Sequence, residues 1–468
     1  MTANILGKSQ LRNRFAQQMS DMYRKEVPAY SELVELVERT NGEVLRVKGD
    51  RRCDNSEYIS SISQQCHGAI RVGKPEELRG LRRLFALYGM YPVNFYDLVP
   101  AGIPVFSTAF RALTESELNQ SPFRIFCSLL RVELIEDSVL RRKAGDILAN
   151  RSIFTPKLEQ LINAAEAAGG VSDADADDLI SLSVSVFQWH QKALVDAATY
   201  DHLLNSHRLV ADIVSFKGPH INHLTPRALD IDAVQRAMPS AGLNAKLVIE
   251  GPPARRCPIL LRQTAFNALE ERVTFEDQSY SVVERLHRAR FGEVEQRGVA
   301  LTPAGRTLYD VCLSQAKADC PLTTESDDAA RYQVALERAF AKFPDDWQTL
   351  LERKLVYFRF TLSKGTKPTE LTHYRAASGL DLARAVRDGL LEAEPIVYQD
   401  FLPISAAGIF QSNLGDENGE AHEAHSSQRA FEAALGEPVR LSDTIYAQLQ
   451  AESVAELERL LELPSDVA

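Results

Sequence analysis

Three short stretches of this chain carry residue types that could hold a metal and an anion together. The first is QQCHGAIRVGK, with His67 and Arg71. Residues four apart in an extended segment share a face, so an anion bound to a metal on the histidine could be held at its other end by the arginine. The second is FKGPHINHLTPR, with His220 and His223. Gly218-Pro219 and Pro226 bracket a short extended piece there. Three apart on a strand, the two histidines face opposite ways, so one of them is expected to be a ligand. His223 precedes a strand-ending Thr-Pro, a place suited to facing a cavity at a sheet edge; His220 then supports the site or is merely structural. The third is RFGEVEQRGVAL, where Glu293 and Glu295 share a strand face. Two inward carboxylates are costly unless a cation or hydrogen-bond donors meet them. Two histidines and one carboxylate on strands match the facial triad of non-haem Fe(II) oxygenases. Three ligands on one face leave three positions open, two for a 2-oxo acid and one for O2. Spacing does not choose between Glu293 and Glu295. Each stretch also has a plain structural reading, such as a solvent-facing strand with salt-bridged acids.

The other histidines have duller readings. His190, His202 and His207 fall in a helical stretch and are expected at the surface or in packing. His287, in RLHRAR, is expected on a solvated basic helix face. His422 and His425 form HEAH, which lacks the i, i+4 spacing of a zinc-protease helix.

These stretches need elements to hold them. The first 50 residues show apolar positions at three- and four-residue spacing and read as helices. PEELRGLRRLFALYGM restarts a helix with Pro75 at its start and acids in its first turn. IPVFSTAFRAL and PFRIFCSLLRVELI read as strands, being rich in β-branched and aromatic residues. Residues 137–208 read as nearly continuous helix. Strand-like text returns in LVADIVSFKGPHINHLTP, AKLVIEG, ILLRQTAF and ARFGEVEQRGVAL. A helical segment over about 303–342 follows, then LVYFRFTL as a strand, LDLARAVRDGLL as a helix, and a helical end. No internal repeat or low-complexity linker is visible. The expectation is an α+β fold. One elaborated catalytic domain covers 1–468, with mixed-sheet segments at about 50–135, 208–300 and 355–412. A helical insertion falls at about 137–208 and C-terminal helices at about 426–468.

Bulk properties narrow the class. The chain has 468 residues, 45 % hydrophobic and 25 % charged, ordinary for a globular protein. No stretch approaches the roughly 20 apolar residues of a membrane helix, and the polar start MTANILGKSQLRNRF lacks a signal-peptide core. A cytoplasmic protein is expected, with no membrane partner. The net charge of −11 disfavours nucleic-acid binding, yet a buried arginine can still attract an anionic substrate. The six cysteines are scattered, with no C-x-x-C pair, and read as reduced.

HGAIRVGK, GPHINHLTPR, FGEVEQRG and QDFLPISAAGIF resemble the signature segments of the 2-oxoadipate dioxygenase/decarboxylase family, also called 2-hydroxyglutarate synthase. The resemblance runs from the first helices to about residue 412. It implies a vicinal-oxygen-chelate-like mixed sheet with added helices. FGEVEQRG is also similar to the glutamate-bearing strand of hydroxyphenylpyruvate dioxygenases, where the ligand stands three residues before a glutamine. Gln296 therefore points to Glu293 over Glu295. The resemblance implies Fe(2+) bound by His67, His223 and Glu293. It implies substrate contacts from His67, Arg71, Ile404 and Ser405, with Arg71 needed for catalysis. The implied reaction turns 2-oxoadipate and O2 into 2-hydroxyglutarate and CO2, within lysine catabolism. Arg262 and Gln263 are further candidates for the same surroundings.

Two other readings are weighed. A similar scaffold could serve an isomerase, lyase or ring-cleaving dioxygenase, since fold alone does not fix function. VALTPAGRTLYDVCL resembles the end of a winged-helix regulator, but no Lys/Arg-rich recognition helix accompanies it. Thr302 capping a helix with Pro303 in its first turn explains that segment better.

Overall fold

β1, Gln65–Val72, is flanked on both sides by other strands. The computed structural model describes residues 5–50, 54–63, 65–266, 268–276, 282–320, 326–376, 379–401 and 421–462. In it, β1 joins β2 (Tyr91–Asp97), β3 (Val105–Arg111), β4 (Arg124–Leu130) and β5 (His223–Pro226) in one sheet of order β2-β3-β4-β1-β5. β1 runs parallel to β4 and antiparallel to β5, so the sheet is mixed. The parallel pair needs a crossover, and the helix Pro75–Leu87 begins it, with Pro75 at its start and Glu76 and Glu77 in its first turn. The fold is α+β, as its alternating elements lead one to expect.

Strand alternation sorts the side chains of β1. Ile70 and Val72 pack with Phe106, Phe110, Ile125 and Cys127 against the N-terminal helix Lys8–Glu26 and the helix Pro75–Leu87. Ala69 lies on the other face, among Val105, Ala109, Phe126 and Phe401. His67 and Arg71 share that second face by spacing. Gly68 lies on the first, where a Cβ would stand 2.6 Å from Ile221 Cδ1 and crowd that side chain.

Residues 137–208 do form a helical insertion between β4 and β5, but not a continuous one. It breaks into Ser138–Ala149, Pro156–Ala168, Asp173–Ser185 and Ala197–Ser206, with side-chain caps from Asp137, Thr155, Ser172 and Asp196. Helix Arg208–Ser215 follows, where a strand is expected from LVADIVS. Every residue from Leu209 to Ser215 is buried; Arg208, Asp212 and Ser215 do recur at helical spacing, but eight residues rich in Leu, Val and Ile are short enough to read as a buried strand. A buried fork clips the insertion to the end of β1: Arg151 donates to both Glu77 oxygens (2.8 and 2.7 Å), and Glu77 accepts from the Gly73 N–H (2.8 Å). Removing one partner of such a buried pair typically costs about 3–5 kcal/mol.

Beyond β5 come β6 (Leu261–Ala265), β7 (Glu271–Glu276), β8 (Val282–His287) and β9 (Glu293–Arg297). β6 pairs with β9 and β7 with β8. AKLVIEG is not a strand; Ala245 makes an isolated bridge to Phe266. Packing density divides the chain into two units. One comprises Met1–Lys246, Gln263–Glu295 and Phe401–Val439; the other comprises Leu247–Arg262, Gln296–Asp400 and Arg440–Ala468. In the second, Phe358–Leu362 pairs with Leu391–Pro395 as a separate two-stranded sheet. There Thr302 caps helix Pro303–Asp319 through the Gly305 N–H, as the sequence suggests. Cys127, Cys257, Cys312 and Cys320 are free and buried; Cys53 and the Cys66 side chain lie outside the described residues. Among the described residues no helix is long and apolar enough to cross a membrane.

Candidate metal centre

His223 stands directly opposite Ala69, and Thr225 opposite His67, in the antiparallel register of β5 with β1. Directly opposed residues project to the same side. His67, Arg71, His223 and Thr225 therefore share one face, with the small Ala69 leaving room between them. β9 comes alongside β5: Arg227 bridges Glu295 in parallel, and the Ala228 N–H donates to the Glu295 carbonyl (2.7 Å). Tyr23, from the first helix, points its hydroxyl at the carbonyls of Asn222 (3.0 Å) and Phe291 (2.8 Å), one residue before His223 and two before Glu293. The Phe291 N–H donates to the Asn222 carbonyl (3.1 Å), locking the two segments together.

The result is a buried cluster of His67, His223 and Glu293 whose ligand atoms all lie within 4.8 Å of one another. His67 Nε2 is 2.9 Å and His223 Nε2 3.9 Å from Glu293 Oε1. All three side chains are fully buried. Among the described residues, neither ring nitrogen of His223 nor Oε2 of Glu293 has a hydrogen-bond partner. Buried polar atoms left without partners are rare and costly. One nitrogen of each histidine and one oxygen of Glu293 come together here, which is what a bound cation would satisfy. Glu293 Oε1 is steadied by Gln263 Nε2 (2.6 Å) and by the Thr225 hydroxyl (3.3 Å). Glu295 Oε2 lies 2.8 Å from His67 Nδ1, on the far side of the ring from Glu293. A carboxylate behind a metal-binding histidine fixes its ring and raises its basicity.

The electrostatics agree with that donor set. Burial pushes the His223 pKa well below the ordinary histidine value, helped by the charges of His67 and Arg71, so it stays a neutral donor. Burial also pulls His67 down, but Glu295 and Glu293 outweigh it and raise its pKa. Burial raises the Glu293 carboxyl against the pull of His67. Two carboxylates and two imidazoles, closed off from water, suit a divalent transition metal. Phe401 lies edge-on to His67 (4.8 Å), and Phe291 covers His223 (4.6 Å).

Exchanging Glu295 for glutamine keeps the shape and removes the charge behind His67. Metal affinity is expected to fall about 10- to 100-fold, measured by competition against a chelator. An unchanged affinity would show that Glu295 does not tune the ligand.

Several expectations meet the structure here. Of the two neighbouring histidines, His223 joins the cluster. His220 stands apart, its Nε2 3.1 Å from Asp212 Oδ1. Glu293 turns toward both histidines and Glu295 backs one of them. Gln263 reaches Glu293; Arg262 instead donates to the Pro252 carbonyl (3.0 Å) and to Gln296 (3.3 Å). Arg71 is buried, and its guanidinium meets Asp212, NH1 to Oδ2 at 2.7 Å. His287 is a correction: it is no solvated helix residue but a buried end of β8, 2.9 Å from Asp212 Oδ1. RLHRAR looks helical and basic because the residues that bury position 287, among them Asp212, Tyr200 and Trp189, lie far off in the chain. His202 is exposed and His190 and His207 are half-buried, as packing or surface residues should be. Ile404 and Ser405, and the side chains of His422 and His425, lie outside the described residues. Asp212 and Tyr23 carry no motif, and Thr225 and Phe401, though inside quoted segments, are not singled out there. The only signal for Asp212 is an acid inside the apolar run LVADIV.

Comparison with known proteins follows from this geometry. A family model described as 2-oxoadipate dioxygenase/decarboxylase matches residues 15–413. A 2-oxoadipate dioxygenase/decarboxylase of Escherichia coli (strain K12) is 46 % identical over 454 residues, 96 % of this chain and 98 % of that protein. One from Pseudomonas putida is 46 % identical over 469 residues, 99 % of this chain and 100 % of its own. Among solved structures, the Pseudomonas putida hydroxyglutarate synthase in complex with 2-oxoadipate matches with a TM-score of 0.86 and 44 % identity. That match covers 98 % of this chain and 100 % of that one.

Proposed function

The chain belongs to the 2-oxoadipate dioxygenase/decarboxylase family, and from that premise we propose that it is an Fe(II) enzyme converting 2-oxoadipate and O2 into 2-hydroxyglutarate and CO2. The observation that carries this reading is the convergence of fully buried ligand atoms from His67, His223 and Glu293 within 4.8 Å of one another. Iron bound there would supply Lewis acidity toward the 2-oxo group and a site for O2 activation.

The chain's own residues do the rest. His67, His223 and Glu293 would hold the metal, and three protein ligands would leave further coordination positions for substrate. Glu295 holds the His67 ring, and Gln263 and Thr225 hold the Glu293 carboxylate, so the three donors are set before any ligand arrives. Phe401 and Phe291 keep water from the histidines, which strengthens each electrostatic contact inside. Arg71 lies four residues along β1 from His67, on the same face, and reaches for the carboxylate of 2-oxoadipate that is remote from the oxo group. A guanidinium can grip that carboxylate with two parallel hydrogen bonds, fixing which carbon of the shortened acid faces the oxidant. Ile404 and Ser405 complete the proposed substrate contacts.

The deciding experiment reconstitutes the protein with Fe(II) without oxygen, adds 2-oxoadipate and then admits O2. One 2-hydroxyglutarate and one CO2 should form per O2 consumed. Turnover without O2, or a product other than 2-hydroxyglutarate, rejects the assignment in favour of an isomerase, lyase or ring-cleaving reaction.

A further inference from the structure

Behind Arg71 lies a second buried cluster that the proposed chemistry does not use. Asp212, on helix Arg208–Ser215, gives Oδ2 to Arg71 NH1 (2.7 Å) and Oδ1 to His287 Nε2 (2.9 Å). His287 Nδ1 meets the Tyr200 hydroxyl at 2.7 Å. Trp189 stacks on His287 (5.9 Å, 19°) and stands edge-on to His220 (4.7 Å). Asp212 is 5 % and His287 1 % exposed. The bonding is self-consistent with one tautomer: Tyr200 O–H donates to Nδ1, and Nε2–H donates to Asp212.

Asp212, His220 and His287 are also a set of two histidines and a carboxylate, with ligand atoms within 4.8 Å. Charge tells the two clusters apart. The one negative charge of Asp212 is already matched by Arg71, so a dication would sit uncompensated in a buried site. The cluster at His67 offers two carboxylates instead. Burial alone would raise the Asp212 carboxyl, but His220, His287 and Arg71 overcome it and hold it well below the usual carboxylate range. The second cluster is thus a fixed anion with a hydrogen-bonded backing.

We propose that Asp212 is a positioning residue that aims the Arg71 guanidinium at the remote carboxylate of the substrate, with His287 and Tyr200 locking Asp212 from behind. This rests on the reading of Arg71 as the anchor for that carboxylate. A long arginine side chain carries considerable rotamer freedom. One hydrogen bond to an immobile carboxylate removes much of it and holds the guanidinium in one orientation. The distance from the metal to the guanidinium is then set by Asp212, and with it the preference for a diacid of one length.

The test compares Asp212→Asn, Tyr200→Phe and Arg71→Lys with the wild type, all iron-loaded. Two ligands are used: 2-oxoadipate, and 2-oxohexanoate, which has the same chain length and lacks the remote carboxylate. Binding is read by anaerobic calorimetry, where no turnover occurs, and kcat and KM are read separately in air. Asp212→Asn should weaken 2-oxoadipate binding about 10- to 100-fold, raise KM more than it lowers kcat, and leave 2-oxohexanoate binding unchanged. Tyr200→Phe, which removes one hydrogen bond at the end of the chain, should shift 2-oxoadipate binding in the same direction by about threefold. Iron content should stay at one per chain in every variant. Equal weakening of both ligands in Asp212→Asn and Tyr200→Phe would mean a merely structural role and overturn the proposal. So would a second metal per chain that Asp212→Asn loses. If Arg71→Lys leaves the preference for 2-oxoadipate over 2-oxohexanoate intact, the anchor reading itself fails. If Arg71→Lys abolishes that preference while the other two variants keep it, only the role of Asp212 fails.

Discussion

Glu293→Gln should leave a folded protein that neither retains iron nor consumes O2 with 2-oxoadipate. The side chain is fully buried, with Oε1 already engaged by Gln263 Nε2 at 2.6 Å and Oε2 without a partner. A glutamine that keeps the present Gln263 hydrogen bond holds its oxygen toward that donor, because two N–H groups cannot face each other. Its own NH2 then occupies the place of Oε2 and points a donor at the cation. The variant therefore loses the ligand and its negative charge together. The fall in metal affinity should exceed the roughly 10- to 100-fold seen for residues that only support a ligand. Two measurements check it without relying on turnover. Metal content after anaerobic dialysis should drop from about one per chain to near zero. The thermal shift on adding Fe(II) should vanish, where metal at a hundred times its Kd would otherwise add about 2.7 kcal/mol. Retention of iron together with the shift would move the ligand role away from Glu293.

The second large effect concerns the other end of the substrate. Arg71→Lys should lower kcat/KM for 2-oxoadipate by about 100- to 1000-fold, or roughly 3–4 kcal/mol, while iron stays bound. Lysine preserves the positive charge that Asp212 needs at 2.7 Å, so the buried anion keeps a partner and the fold survives. A neutral replacement would strand that anion at a cost of about 3–5 kcal/mol, which makes lysine the cleaner variant. A single ammonium cannot satisfy Asp212 and grip a carboxylate with two parallel bonds. Steady-state kinetics alongside metal content decides the matter. Activity within threefold of wild type would show that Arg71 does not bind the substrate.

How much of this was legible varied by element. The helix Pro75–Leu87 announces itself through its proline and first-turn acids, and β3 and β4 through their β-branched and aromatic text. The helix Arg208–Ser215 does not, because a short run of eight residues rich in Leu, Val and Ile reads equally well as a buried strand. The breaks in the helical insertion are set by capping side chains, while the apolar spacing alone reads straight through them. His287 looked like part of a solvated helix because its burial comes from partners 75 to 87 residues away.

By itself the sequence determined the kind of site: His67 and Arg71 four apart in extended text, Glu293 and Glu295 two apart, and segments shared with a known family. Local spacing fixes which residues of one strand share a face, since alternation is a property of the backbone. Only the tertiary structure decided which strands meet. The register of β5 against β1 sets His223 opposite Ala69, and the bridge from Arg227, just past β5, to Glu295 of β9 brings Glu293 beside both histidines. Tertiary structure also decided that Arg71 leans on Asp212, a partner 141 residues along the chain. Register and long-range burial depend on how the whole chain packs, and no short stretch of residues encodes them.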